Sequence, residues 1–164
     1  MIETNRCRLT EIEQFDLDEV AQLYVNPQVR MYLGGAIDEE HLLQMKLLEV
    51  MKRVEQGAHY FVIRTIDHQE FMGLVSLDPY HDGIHTEISY EFLPQWWGAG
   101  YATEAIERVI DYGLYALELP SLVAETQTAN KASCMLLERV GMTLQHQLHR
   151  FGAEQAVYRI ERDR

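Results

Sequence analysis

Gln95-Trp96-Trp97-Gly98-Ala99-Gly100-Tyr101-Ala102 is the stretch on which the reading of this chain turns. It follows an alternating, strand-like run, His85–Leu93, and opens a long amphipathic segment from Tyr101 to about Ala116 that reads as a helix. Glycines between a strand and a helix let the backbone turn sharply and leave consecutive N–H groups free. Those groups add to the positive end of the following helix dipole, so the loop is an anion site that needs no lysine. The third glycine of a dinucleotide fingerprint is missing, and no Gly-Lys-Ser/Thr follows, so neither a Rossmann site nor a nucleotide P-loop is supported.

Upstream, Ile2–Thr10 reads as a first strand. Asp16 is placed to cap a helix through Leu17, Val20, Ala21, Leu23 and Tyr24, which Asn26-Pro27 ends. A second helix is expected from about Asp38, with Leu42, Leu43, Met45, Leu47, Val50, Met51 and Val54 on one broad face, and Gly57 stops it. His59–Ile66, Phe71–Leu77 and His85–Leu93 are three strands separated by short polar turns, and such neighbours pair antiparallel. Downstream, Ser121–Gln127 reads as a strand, Asn130–Val140 as a helix closed by Gly141, and Thr143–His149 with Gln155–Glu161 as two last strands. The order predicts an α/β fold with a mixed, mostly antiparallel sheet and flanking helices, in one domain over residues 1–164.

Composition bounds the function. Fourteen basic and 26 acidic residues give a formal charge of −12, which repels nucleic-acid phosphates and anionic lipid and draws cations such as amines. No apolar run approaches the ~20 residues of a membrane span, and the first ten residues lack the apolar centre of a signal peptide, so a cytoplasmic protein is expected, without nucleic acid or membrane as partner. Cys7 and Cys134 make neither a disulfide framework nor a zinc pattern, and each reads as a small buried apolar residue; no metal is expected.

A second motif, Asn130-Lys131-Ala132-Ser133 with Gly141-Met142 after it, raises the specificity of the first. Taken alone, Asn130 caps a helix and Ser133 bonds the local backbone. Together, the strand, Gln-x-x-Gly-x-Gly, helix, strand and Asn-x-x-Ser helix resemble the GNAT superfamily of acetyltransferases. The narrower similarity is to the RimJ/RimL branch of ribosomal-protein N-terminal acetyltransferases. It is carried by Glu3-Thr4-Asn5-Arg6-Cys7-Arg8-Leu9, Asn26-Pro27-Gln28-Val29, Tyr32-Leu33-Gly34-Gly35, Phe71-Met72-Gly73, Glu87-Ile88-Ser89-Tyr90 and Trp97–Ala105.

The resemblance implies acetyl-CoA as co-substrate and an amine as acceptor. It implies two strands that splay to form a V-shaped cleft for coenzyme A. Pantetheine would pair with the backbone of Tyr90-Glu91-Phe92-Leu93, and pyrophosphate would rest on amides of Gln95, Trp97, Gly98, Ala99, Gly100, Tyr101 and Ala102. Asn130 would touch pantetheine, and Ser133 would lie near the thiol. A homodimer is plausible by the same analogy. Two departures stand out. Leu137 occupies the place of a tyrosine that serves many relatives as the acid, which leaves Ser133 as candidate acid, as in the RimJ/RimL branch. Ala99 replaces a frequent Arg or Lys, so phosphate binding leans on amides and the dipole.

Acetyl transfer needs a neutral amine, a polarised carbonyl and a protonated leaving sulfur. Glu87 is the candidate base, directly or through water, against the alternative of a surface strand carboxylate. Tyr90 is expected to share its strand face and line the acceptor site. His81 and His85 are weaker base candidates, Cys134 is core, and the Trp96-Trp97 pair packs the loop or touches acceptor or adenine. The acceptor is expected to be a protein N-terminal α-amine; a small amine such as a polyamine, amino acid or amino-antibiotic, or coenzyme A binding without catalysis, are the alternatives.

Overall fold

The computed structural model describes residues 1–163. Eight strands form one sheet in the order β1-β2-β3-β4-β5-β6-β8-β7. They are β1 Ile2–Glu3, β2 Cys7–Glu11, β3 His59–Thr65, β4 Phe71–Pro79, β5 Thr86–Phe92, β6 Ser121–Gln127, β7 Thr143–Arg150 and β8 Ala153–Glu161. Helices α1 Leu17–Tyr24 and α2 Glu40–Glu55 precede the meander; α3 Tyr101–Asp111 follows it and widens into a π-helical turn over Tyr112–Ala116; α4 is Lys131–Arg139. Among the described residues no helix is long and apolar enough to cross a membrane.

The strands sit where the apolar runs predict them. In β4 every residue from Phe71 to Leu77 is buried, because helices cover both faces of this central strand. One layer packs Val20, Leu23 and Tyr24 of α1 and Leu47 and Val50 of α2 on Val62 and Leu74. On the other face Ala105, Ile106, Val109 and Ile110 of α3 and Leu137 of α4 pack on Ile88, Phe92, Leu122 and Ala124.

Two local expectations are corrected. The run Ile2–Thr10 is two strands rather than one: Thr4 N–H donates to the Cys7 carbonyl at 2.9 Å and Cys7 N–H to Thr4 Oγ1 at 2.9 Å, which folds the chain into a hairpin. Asp16 does not cap α1 with its side chain. Its buried carboxylate instead accepts from Glu13 N–H at 2.8 Å and from Arg64 Nη2 at 2.7 Å. An ion pair to β3 outcompetes the local cap.

Every neighbouring pair in the sheet is antiparallel except β5 with β6, and that pair is parallel and meets in register at a single place, Glu87 opposite Val123. Beyond it, β5 stays bonded to β4 as far as Phe92 and β6 to β8 as far as Gln127, each on its far side. The two inner edges are therefore unpaired with one another from Ile88 onward. This opening in the middle of the sheet is the feature that organises the site.

Candidate active site

The pleat of β5 sends alternate side chains to opposite faces. Ile88, Tyr90 and Phe92 join the layer under α3 and α4. Glu87, Ser89 and Glu91 therefore face the α1–α2 side. Tyr90 thus does not share Glu87's face: it is three residues away, an odd number, and the strand period of two separates them. The two side chains flank the opening from opposite sides of the sheet.

Glu87 lies at the closed end of the opening. Burial pushes its carboxyl up to about 7, and the charge on Glu125 adds to the push, with Asp78 contributing and Arg150 opposing. Glu125 is fixed by a ring of partners. Its side chain is 5% exposed and accepts from Tyr80 Oη at 2.5 Å and from Arg150 Nη1 at 3.3 Å, with His81 Nε2 also 3.3 Å away. Burial and the bond to Glu125 raise the Tyr80 phenol well above its ordinary range. A half-buried carboxylate held close to neutral pH beside a second one has the electrostatics that an acid–base role requires. His85 is turned away, its Nδ1 2.5 Å from Asp82 Oδ2 in the β4–β5 turn.

Four residues along, Glu91 has one carboxylate oxygen with neither exposure nor a hydrogen-bond partner among the described residues. Burial raises its pKa, with Arg30 and Lys46 opposing.

Across the opening, Tyr90 Oη and Ser133 Oγ are 2.6 Å apart. Ser133 is placed by its helix. Asn130 Oδ1 accepts from Ser133 N–H at 3.2 Å as the N-cap of α4, so the capping reading of Asn130 holds, and the cap fixes the first turn that carries Ser133. Cys134 points to the Gln127 carbonyl, 3.9 Å from Sγ, and packs against the core; Cys7 is buried. Leu137 is 1% exposed, so α4 places no acid of its own one turn further on.

The loop between β5 and α3 has the conformation its glycines predict. Gly98 and Gly100 have φ of +81° and +84°, and a Cβ built on Gly98 would meet nothing within 4 Å. Gly100 is the N-cap of α3, and no side chain caps that helix, so its first-turn amides are left for an external acceptor. The residues present therefore fit a pyrophosphate: open space over Gly98, uncapped amides and a helix dipole. Both indoles brace the loop. Trp96 Nε1 donates to the Phe71 carbonyl at 3.1 Å and Trp97 Nε1 to the Phe92 carbonyl at 2.8 Å, while Trp96 stands edge-on to Tyr101. The Phe92 carbonyl is thus already engaged, while Leu93 N–H bonds Met72 across β4.

A cation reaches the loop from elsewhere. Arg6 Nη2 donates to the Ala99 carbonyl at 3.0 Å, its guanidinium lies 3.9 Å from the Tyr101 ring centroid, and its Nε bonds Glu104 at 3.0 Å. Against the upward push of burial, bonds from the Thr4 hydroxyl and from Arg6 hold the Glu104 carboxyl below the usual range. Arg6→Met keeps the stem but removes the donors, and is expected to weaken coenzyme A binding by about 3–10-fold by loosening the loop. Calorimetry checks this, and an unchanged Kd would mean that the loop holds its own shape. Among the described residues no group of three or more His, Cys, Asp or Glu is placed to hold a metal ion.

Sequence reasoning missed Tyr80, Glu125, Arg150, Arg6 and Glu91. Glu91 carried no local signal, since its strand also holds Thr86, Glu87 and Ser89.

Comparison with known proteins bears on the family and the fold. A family model described as an acetyltransferase (GNAT) domain matches residues 6–143. The chain is 28% identical over 145 residues to the uncharacterized N-acetyltransferase YoaA of Bacillus subtilis (strain 168), covering 86% of this chain and 81% of that one. Among solved structures, a GNAT-family acetyltransferase from Bacillus anthracis has a TM-score of 0.82 at 21% identity, over 98% of this chain and 97% of that chain. A spermidine N-acetyltransferase from Vibrio cholerae, in complex with CoA and spermine, has a TM-score of 0.76 at 23% identity, over 93% and 92%. Both likenesses are in fold.

Proposed function

This chain belongs to the GNAT acetyltransferase family, and on that premise we propose that it moves an acetyl group from acetyl-CoA to a primary amine, with Glu87 as base and Ser133 as the acid facing the sulfur. The observation that carries the reading is Glu87, a half-buried carboxyl pushed up to about 7 where β5 and β6 part.

Acetyl-CoA supplies an activated thioester carbonyl, and the chain's own residues do the rest. Amides of Trp97 to Ala102 hold the pyrophosphate, and Asn130 keeps the first turn of α4 in place. Glu87 takes the amine's proton as the nitrogen attacks, at a pKa that suits transfer near neutral pH. Ser133 faces the departing sulfur from the other side of the sheet. The split between β5 and β6 lets one bound ligand be reached from both faces.

The acceptor we propose is an α-amine at a protein N-terminus, as in the RimJ/RimL branch that the motifs resemble. The support is proton arithmetic. An α-amino group has a pKa of about 7.7–8.0 and a lysine side chain about 10.4, so a base near 7 is matched to the former. Glu125 and Asp78, paired with Arg150 and Arg53, both push the Glu87 carboxyl upward, and this acidic cluster supports a second reading in which the acceptor is a small polycation such as spermidine. Competition separates these readings. A peptide with a free N-terminus is expected to be acetylated at least tenfold faster than the same peptide N-blocked with an internal lysine. Faster reaction of the blocked peptide would overturn the α-amine reading, and reaction of spermidine alone would establish the second.

A further inference from the structure

We propose that Tyr90 is the proton reservoir for the leaving sulfur and acts through Ser133 as a concerted two-proton relay. The inference rests on the reading of Ser133 as the acid. It starts from a chemical difficulty in that reading. The sulfur that leaves has the acidity of a thiol, about 8.5, and an alkyl hydroxyl is far too weak an acid to protonate it without being resupplied. A phenol, even one raised to about 12 by burial as Tyr90 is, remains a far stronger acid than an alkyl hydroxyl and is the nearer match to the thiol. One turn past Ser133, α4 presents Leu137, so the helix carries no phenol there. The fold supplies one from another element: Tyr90 of β5 points across the opening and sets Oη 2.6 Å from Ser133 Oγ.

Three features make this contact suited to proton transfer. The distance is that of a short O–H···O bond. Both partners are positioned by independent restraints, Tyr90 by the β4–β5 ladder opposite Val75 and Ser133 by the Asn130 cap. The bond also bridges β5 and α4 where the β-ladder between β5 and β6 has ended, so it stands beside the opening and not within a sheet. Burial raises the Tyr90 phenol to about 12, against the pull of the Ser133 bond, so it holds its proton throughout the neutral range.

The step balances. The carbon–sulfur bond breaks and its electron pair goes to sulfur. Sulfur takes the proton from Ser133 Oγ, and Ser133 takes the proton from Tyr90 Oη. The phenolate that remains is reprotonated from solvent once the free thiol has left. Tyr90 touches Ser133 and not the reacting atoms, so it is a positioning and supply residue.

The test measures single-turnover acetyl transfer for the wild type, Tyr90→Phe, Ser133→Ala, Ser133→Thr and the Tyr90→Phe/Ser133→Ala double variant, with acetyl-CoA affinity measured alongside. Phe keeps the ring, so folding and binding should hold within about twofold. The relay requires Tyr90→Phe and Ser133→Ala each to slow transfer by about tenfold, the double variant to be no slower than either single one, and Ser133→Thr to retain most of the rate. In mixtures of H2O and D2O the wild-type rate should curve with deuterium fraction, as two protons in flight demand, and the Tyr90→Phe rate should be linear. A slow Ser133→Ala with a normal Tyr90→Phe would overturn the relay and leave Ser133 as the acid. A normal Ser133→Ala would overturn the acid assignment itself. Additive losses in the double variant, or a linear wild-type profile, would show two separate roles and no relay.

Discussion

Replacing Glu87 with Gln is expected to lower kcat by about 10²–10⁴-fold and, in the same protein, to raise its melting temperature at alkaline pH. The two effects have one cause. The Glu87 carboxyl titrates at about 7 in the folded chain, against 4.5 for a free glutamate. Between those values the folded state binds a proton that the unfolded state has released, so stability is full below about 4.5 and is lost as pH rises through 7. The gap corresponds to a cost on the order of 3 kcal/mol above pH 7, and Gln, which carries no charge, does not incur it. The variant should therefore melt with the wild type at pH 4 and several degrees above it at pH 8, at about 2–4 °C per kcal/mol for a chain of this size. Kinetics offers a second readout. Below pH 7 the wild-type kcat/KM should fall with two protons, one on Glu87 and one on the amine, and the variant with only the amine's. A stabilised but fully active variant would return Glu87 to an ordinary strand carboxylate.

The legibility of this site from sequence follows the range of the interactions that make it. The β5–α3 loop was readable because its chemistry is local: Gly98, Gly100 and the helix that follows need no distant partner. The cap of α4 by Asn130 was readable for the same reason, and so were the strands of the meander, whose apolar runs match their burial. The hairpin at Thr4–Cys7 was not: local bonds close it, but Glu104, which braces both Thr4 and Arg6, is about a hundred residues away. Nor was Arg6 at the Ala99 carbonyl, a cation that reaches the loop from the first hairpin and not from position 99 within the loop. The face of Tyr90 is legible in the sequence, since an odd spacing from Glu87 puts it on the other side of the strand. Its partner Ser133, however, lies 43 residues on and is brought near only when the sheet closes through β6. The pKa of Glu87 likewise depends on Glu125 and Arg150, contributed by β6 and β7, and no pattern within β5 announces them.

Gly98→Val is expected to weaken coenzyme A binding by about 100-fold or more while leaving the fold in place. At φ +81° a β-branched residue is strained, which by itself costs about 1–2 kcal/mol of stability. That cost says nothing about the ligand, so the variant needs a matched control. Gly83, in the turn between β4 and β5, has φ +70° and, like Gly98, would set a Cβ in open space. Gly83→Val therefore carries the same kind of backbone strain away from the loop. Gly100 is the poorer test, because a side chain there would also press on Arg6, 3.4 Å from the built Cβ. The space over Gly98 is where the pyrophosphate is proposed to meet the loop amides. A valine there displaces charge-assisted bonds worth about 1.5–3 kcal/mol each, and two of them amount to the expected loss. Calorimetry with coenzyme A should then show weak binding for Gly98→Val and normal binding for Gly83→Val, with similar melting temperatures for the two. Equal affinities would move the phosphate site away from this loop, and an equal loss in both would assign the effect to strain instead of contact.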